Sequence, residues 1–428
     1  MTIEIQNSSE KAPQNITENI NEGKKIIETI SRLKYEMARD YPLEKVPEDG
    51  DMYVAEYNAD LERLAQSSRN TWFTAPWLFA ECHLYRLLRS YFNQTKHWRG
   101  FDPFFAQKNE TFKNSGAAVF QIASTMDQIE KEKDILKNDP EKLQALYREM
   151  IQMCLWGNAT DLSLLTHMSH EDIERLQTVG KEAQQARKEF ILLDNQDEAW
   201  EHISKLKGGR CDIVLDNSGF ELFTDFVLAD FFVTYTPYFS KIIFHPKLMP
   251  WFVSDVNPAD FDETIKSMEA DAFFAHAPSL EAKENLARMV SRWKKYIEDG
   301  TFTLATRMRD SNEDFIQMTK YWTAPWPYWN MEAQGPKAWD WLSKSELVIF
   351  KGDLNYRKLT GDTQWPVSTP FKDAIGPLAG SFPILSLRTN KADVAVGVSE
   401  EVARALDEKG ERWRVSGKYA LVSFLGRD

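Results

Sequence analysis

The chain has 428 residues, with 65 acidic and 52 basic side chains and a formal net charge of −13. That balance excludes nonspecific binding to nucleic acid and attachment to anionic membranes, because the long-range field repels polyanions. A length of 428 residues exceeds what one core usually holds, so two domains or one elaborated domain are expected, and 43% hydrophobic residues, with 14 Trp, 14 Tyr and 26 Phe, suffice for a sizeable core.

Residues 1–22 are polar and read as a disordered lead without the apolar run of a secretory signal. From Lys24 to Leu193 the apolar spacing is helical: Ile26, Ile27, Ile30 and Leu33, then Leu78–Phe92, then Leu143–Leu155. The charge-rich stretch Lys131–Lys142 is expected to be a solvated connection. Ser169 and Asp172 have the spacing of a capping box, opening a helix that runs to about Phe190. A short helix, Glu198–Leu206, stops at Gly208 and Gly209. Strands and helices then alternate, with a long amphipathic helix at Leu280–Ile297 closed by Gly300 and a late strand at Tyr419–Leu425. The pattern predicts an α/β protein: a helical N-terminal domain (23–193) on a C-terminal α/β/α sandwich (194–428) with a largely parallel sheet.

No apolar stretch reaches the roughly 18 residues of a membrane span. Cys82, Cys154 and Cys211 are odd in number and far apart, the pattern of reduced core thiols rather than of disulfides or a zinc site.

Chemistry concentrates at strand ends. Cys211–Phe220 reads as a buried strand and a tight glycine turn, followed by a helix over Glu221–Phe232, with Asp216 and Asn217 where the strand stops. Ligands of open α/β sheets collect beyond the carboxyl ends of the strands, near helix N-termini. A carboxylate beside an amide oxygen there suits a hard or borderline divalent cation that must also hold phosphate; the same two residue types also serve as plain N-caps. The apolar run Trp251–Val253, closed by Ser254 and Asp255, reads as a second strand end before a helix over Ala259–Ala270. If the two strands are parallel neighbours, three oxygen ligands meet at one sheet edge.

Two more apolar strands, Glu346–Phe350 and Phe382–Leu387, run into polar loops. These carry Lys351 and Arg357 in one case and Arg388 and Lys391 in the other, all suited to binding phosphate. Glu81, Arg86, Asn158 and Asp161 sit in apolar helical contexts, where polar groups are costly unless paired. They are expected either to pair internally, Glu81 with Arg86 or a neighbour, or to reach the site. His167 and His170, three apart, could face a metal but serve equally as caps. The aromatic stretch Tyr321–Trp329 reads as core packing or as a pocket wall.

Four segments, taken together and in order, resemble the signature set of the damage-control phosphatase family, also called domain of unknown function 89. They are Asp-Asn-Ser-Gly-Phe-Glu-Leu at 216–222, Trp-Phe-Val-Ser-Asp at 251–255, Lys-Gly-Asp-Leu-Asn-Tyr-Arg-Lys-Leu at 351–359, and Arg-Thr-Asn-Lys at 388–391. The last resembles the Arg-Thr-x-Lys tetrad of the third subfamily, the acidic-residue methyltransferase-like group. Trp72–Arg86 and Leu155–Ser163 agree as well, so the likeness runs from about residue 30 to 425.

The resemblance implies a metal-dependent phosphatase in which Asp216, Asn217 and Asp255 are the metal ligands. It implies substrate contacts from Glu221, from the loop of Asp353, Leu354, Asn355, Tyr356 and Arg357, and from Lys391; the residues themselves add Arg388, Asn158 and Glu81. Asp216, Asp255 and Lys391 are the expected catalytic groups. Family substrates are phosphorylated small metabolites, notably sugar phosphates such as fructose 1-phosphate, cleared when reactive or damaged. Either water or the Asp216 carboxylate could attack phosphorus, with Asp255 or Glu221 as base in the first case. The oxygen-rich ligand set suits Mg²⁺ or Mn²⁺, with Co²⁺ and Ni²⁺ able to bind more tightly. The expected partner is a phosphorylated small molecule, with no nucleic acid and no membrane, and the expected form is a monomer in cytoplasm and nucleus.

The subfamily is also associated with S-adenosylmethionine-dependent carboxyl O-methylation of protein glutamates. That chemistry usually needs a glycine-rich nucleoside turn, whereas Asn217–Phe220 holds one glycine and no G-x-G-x-x-G occurs. A cationic methyl donor would also be poorly received beside Lys391. A non-catalytic metabolite-binding module is the third reading, opposed by intact candidates at all three ligand positions.

Overall fold

A computed structural model describes residues 13–136, 139–157, 188–274, 277–308 and 312–427. They divide into two compact units. The first gathers the described residues up to Phe105 with Met249–Phe252 and Thr323–Trp326; the second holds the rest.

The first unit contains helices α1 (Pro13–Ala38), α2 (Val54–Gln66) and α3 (Trp77–Asn93). Helix α1 starts inside the segment expected to be a disordered lead. Ile26 packs with Phe92 and Trp98, and Leu33 with Leu87 and Tyr91, which is the helical spacing of the sequence turned into contacts. Arg86 is fully buried on α3, and its guanidinium grips Asp49 through two hydrogen bonds of 3.0 and 2.7 Å. Its Nε donates to the Met52 carbonyl at 2.8 Å. Arg86 therefore pairs with Asp49, from the loop before α2, rather than with Glu81. A bidentate fork satisfies more buried donors than a single contact one turn away on the same helix.

The second unit begins at Ala106 and takes in α4 (Phe105–Lys113) after its first residue, α5 (Gly116–Lys131) and α6 (Pro140–Gly157). Their apolar residues Val119, Phe120, Met126, Tyr147 and Ile151 join the core that also holds Ile213, Phe226 and Phe244 of the sheet layers. The cut between units thus falls at residue 105, and the expected boundary at 193 lies inside the second unit. Ser169, Asp172, His167, His170, Asn158 and Asp161 lie outside the described residues.

The α/β order then runs β1 (Ile191–Asp194), α7 (Gln196–Ile203), β2 (Gly209–Val214), α8 (Phe220–Asp230), β3 (Phe239–His245), α9 (Pro258–Glu269), α10 (Leu280–Asp299), β4 (Phe302–Leu304), β5 (Leu347–Lys351), α11 (Gly352–Thr360), β6 (Ile384–Thr389), α12 (Glu400–Glu408) and β7 (Ala420–Leu425). Among the described residues these strands form a seven-stranded sheet in the order β1-β7-β6-β5-β2-β3-β4. All neighbours are parallel except β6 and β7. The helix ends follow local chemistry. Ser279 accepts from the Ala282 amide to cap α10, and Gly300 closes it at φ 84°, a left-handed value that glycine adopts without steric cost.

Topology fixes the site. The chain leaves β2 for β3 on one side, while β5, paired with β2 on the other side, leads to β6 in the opposite direction. Adjacent strands whose connections diverge create a crevice at their carboxyl ends, the usual ligand position in such sheets. The residues that follow β2 and β5 are Leu215-Asp216-Asn217 and Gly352-Asp353.

Candidate active site

Two helices begin at this crevice. Gly219, at φ 70°, turns the chain from β2 into α8, and Gly352, at φ 81°, turns it from β5 into α11. Both conformations disfavour a side chain. Asp353 and Glu221 thus sit in first helical turns, where the N-terminal dipole and unpaired amides favour anions. The segment 353–357, expected as a polar loop, is helical; its apolar Leu354 and the buried Asn355, Tyr356 and Leu359 hold α11 against the sheet.

Asp255 arrives by a different route from the one its sequence suggested. Trp251–Val253 is a turn and not a strand; the strand beside β2 is β3, which ends ten residues before Asp255. Asn217 and Asp255 instead face each other across an isolated antiparallel bridge. Around it, the Ser218 amide donates to the Ser254 carbonyl and the Val256 amide to the Asp216 carbonyl, both at 2.8 Å. Phe252 and Val253 take positive φ values of 42° and 66°, and a β-branched residue there is strained. The bridge on one side and a capping box on the other, in which Asn257 and Asp260 exchange side-chain and main-chain hydrogen bonds across Pro258, hold that reversal in place.

Asp216, Asn217 and Asp255 are all buried. Asn217 Nδ2 donates to Asp216 Oδ2 at 2.9 Å and to Glu221 Oε2 at 2.7 Å, and its Oδ1 accepts from the Ser254 hydroxyl. Behind them, Lys351 Nζ bonds Glu221 Oε1 at 2.8 Å and Asp225 Oδ1 at 2.7 Å, with all three side chains fully buried. Burial pulls the Lys351 pKa down, but Asp225, Cys154 and Glu221 outweigh it and hold the ammonium well above the usual lysine range. Burial pushes the Asp225 carboxyl up to about 6, with Lys351 opposing and Glu221 adding to the rise. The Cys154 thiol donates to Asp225 at 2.9 Å and is raised well above its usual range, chiefly by burial.

The arrangement fits a divalent cation by the chemistry of its donors. Two carboxylates and an amide are hard oxygen ligands, and Asn217 needs only a half-turn of its amide to exchange Nδ2 for Oδ1 beside Asp216. Ser254 can accept after that turn where it donated before, and Oδ1 would then face Asp216 Oδ2 and Glu221 Oε2, three oxygens that a cation between them would satisfy. Among the described residues, no three His, Cys, Asp or Glu side chains converge as a metal cluster, so this set depends on the amide.

The family model described as the damage-control phosphatase ARMT1-like domain matches residues 2–406. The chain belongs to the ARMT1-like damage-control phosphatase family. It is similar to the damage-control phosphatase ARMT1 of Danio rerio, at 33% identity over 94% of this chain and 85% of that protein. The protein of the same name from Mus musculus is 32% identical over 96% of this chain and 88% of its own length, and that of Homo sapiens 30% over the same shares. A crystal structure of a DUF89 family protein from Pyrococcus horikoshii aligns with a TM-score of 0.40 at 11% identity, covering 89% of this chain and 92% of that one.

Within this ARMT1-like domain, the remaining expected site residues divide by what they touch. Arg388 is fully buried: Nε bonds Asp353 Oδ1 at 2.7 Å, Nη2 the Ala392 carbonyl at 2.8 Å and Nη1 the Val394 carbonyl. Its guanidinium lies 4.2 Å from the Tyr356 ring centroid, and the Tyr356 hydroxyl accepts from the Val396 amide. All three guanidinium nitrogens thus bond protein groups, so Arg388 supports Asp353 and the 392–394 segment. Asp353 Oδ1 also accepts from the Lys391 amide at 3.0 Å and so places Lys391 beside the start of α11. Arg357 pairs with Asp362 at 2.9 Å. Asn355 is fully buried and its amide donates to the Lys351 carbonyl at 2.7 Å, while Tyr328 donates to its Oδ1 at 2.8 Å. Tyr321, Trp322 and Tyr328 are core residues. Glu81 is on α3 of the first unit, half-buried.

Sequence reasoning read Lys351 only as a phosphate-binding charge and missed Asp225, Lys247 and Lys108 as parts of the candidate site. Signals were present for Lys351 and Asp225. A lysine closing an all-apolar strand must find acids, and Asp225 lies one helical turn after Glu221 on an otherwise apolar helix. Lys108 and Lys247 carry no such mark, since only the fold brings them to Asp255.

Proposed function

We propose that the protein is a metal-dependent phosphatase of phosphorylated small metabolites, sugar phosphates among them. The observation that carries this reading is the meeting of Asp216, Asn217 and Asp255 at the crevice where two helix N-termini also begin. Oxygen ligands recruit a cation, and helix N-termini recruit a phosphoryl group; a site with both suits phosphate-monoester hydrolysis. A divalent ion held by Asp216, Asn217 and Asp255 supplies charge neutralisation at the transferring group.

The protein's own residues do the rest. Lys351 holds Glu221 beside the Asn217 amide. Asp353, fixed by Arg388, places Lys391 at the rim as a point charge for a phosphoryl oxygen. Preorganised charge of this kind is the main demand of phosphoryl transfer, which needs positioning more than covalent chemistry.

The reading is tested on metal-stripped protein offered p-nitrophenyl phosphate and a panel of sugar phosphates including fructose 1-phosphate. Mg²⁺, Mn²⁺, Co²⁺ and Ni²⁺ are added singly. Phosphate release that depends on an added ion supports the proposal. Absence of release with every ion contradicts it and turns attention to methyl-donor binding.

A further inference from the structure

Asp255 is flanked by two buried lysines that none of the site's expected chemistry uses. Lys247 is fully buried; its Nζ donates to the Leu215 carbonyl at 2.7 Å and stands 3.2 Å from Asp255 Oδ2. That second approach is an ion pair and not an aligned hydrogen bond. The Lys247 amide also donates to the Val256 carbonyl, tying the lysine to the Asp255 loop at both ends. Lys108 comes from α4, bonds Asp260 Oδ2 at 2.7 Å and reaches the Asp255 carbonyl at 3.3 Å. One lysine thus faces the carboxylate of Asp255, and the other clamps its main chain.

A buried ammonium beside a metal-ligand acid costs desolvation, and it repels the cation the acid is there to bind. Its placement on one oxygen has a consequence for geometry. A dication is disfavoured at Oδ2 and must approach Asp255 through the other oxygen. One-oxygen carboxylate ligation belongs to small octahedral ions such as Mg²⁺, whereas Ca²⁺ favours more ligands and two-oxygen carboxylates.

Resting on the metal-site reading above, we propose that Lys247 is a specificity-determining residue: it confines Asp255 to one-oxygen ligation and so selects small octahedral cations over Ca²⁺. Lys108 steadies the loop through the Asp255 carbonyl and Asp260.

The test measures binding and not turnover. Mn²⁺ and Ca²⁺ are titrated into the full metal-stripped chain by calorimetry, with free Mn²⁺ followed by its paramagnetic resonance. In Lys247→Met the affinity ratio of Ca²⁺ to Mn²⁺ rises about tenfold, because both Asp255 oxygens become available to the larger ion. Lys247→Gln keeps a donor for the Leu215 carbonyl while removing the charge, guards against misfolding of the first variant, and shifts the ratio the same way. Wild-type binding of Mn²⁺ with an unchanged ratio in both Lys247 variants overturns the selectivity proposal alone. Failure of the wild type to bind any divalent ion overturns it together with the metal site.

Discussion

Gly352 is pressed against Asp216: a Cβ at residue 352 would stand 1.8 Å from Asp216 Oδ2. The glycine that ends β5 therefore sets where the carboxylate after β2 can lie, and it does so at φ 81°, where a side chain is already disfavoured. Gly352→Ala must move either the start of α11 or Asp216. The expected result is a loss of turnover of at least about 100-fold, the scale of a 1 Å misplacement at a reacting centre. Steady-state rates with saturating metal, beside a thermal melt showing a folded variant, check it; turnover within a factor of two of wild type would separate Gly352 from the site.

Asp225 gives a prediction in pH. Burial raises its carboxyl to about 6, above the roughly 3.9 of an unfolded aspartate. A group whose pKa is raised on folding stabilises most below its unfolded value, and that contribution is lost as pH rises through the folded value. Asp225→Asn removes this dependence. The melting temperature of the variant minus that of wild type should therefore climb between about pH 4 and about pH 7. Parallel curves across that range would show that Asp225 titrates normally.

Arg388 makes three kinds of contact at once, to Asp353, to two carbonyls and over the Tyr356 ring. A lysine cannot reproduce that planar fork. Arg388→Lys is expected to cost about 2–4 kcal/mol of stability. It should also raise KM for phosphate substrates, because Asp353 no longer fixes Lys391. Chemical denaturation and substrate titration measure the two effects; unchanged values in both would mean the fork is replaceable.

Much of this was legible in the sequence because it is local. The β2–α8 unit, α10 with its Gly300 stop and β7 follow from period, caps and glycine, and the Asp216-Asn217 pair follows from the strand end it occupies. Asp255 was legible as a candidate ligand but not in its backbone setting. An apolar Trp-Phe-Val run looks like a strand, and only the clamp to Ser218 and Asp216 shows why it is a strained turn. The helix at 352–360 was hidden by its polar residues, since Asn355 and Arg357 are buried by partners distant in sequence or by Asp362 across the helix end. The placement of α5 and α6 with the sheet was not legible, because an apolar helical stripe does not say which surface it covers.

The central claim is that one divalent ion sits on Asp216, Asn217 and Asp255 and that phosphate release needs it. Equilibrium dialysis of Mn²⁺ against wild type, Asp216→Ala and Asp255→Ala, with phosphate release measured on the same samples, tests it most directly. The account predicts one bound ion per chain in wild type, with binding and release lost together in both variants. Release that persists in either variant, or an ion that stays bound when both acids are removed in turn, would contradict it.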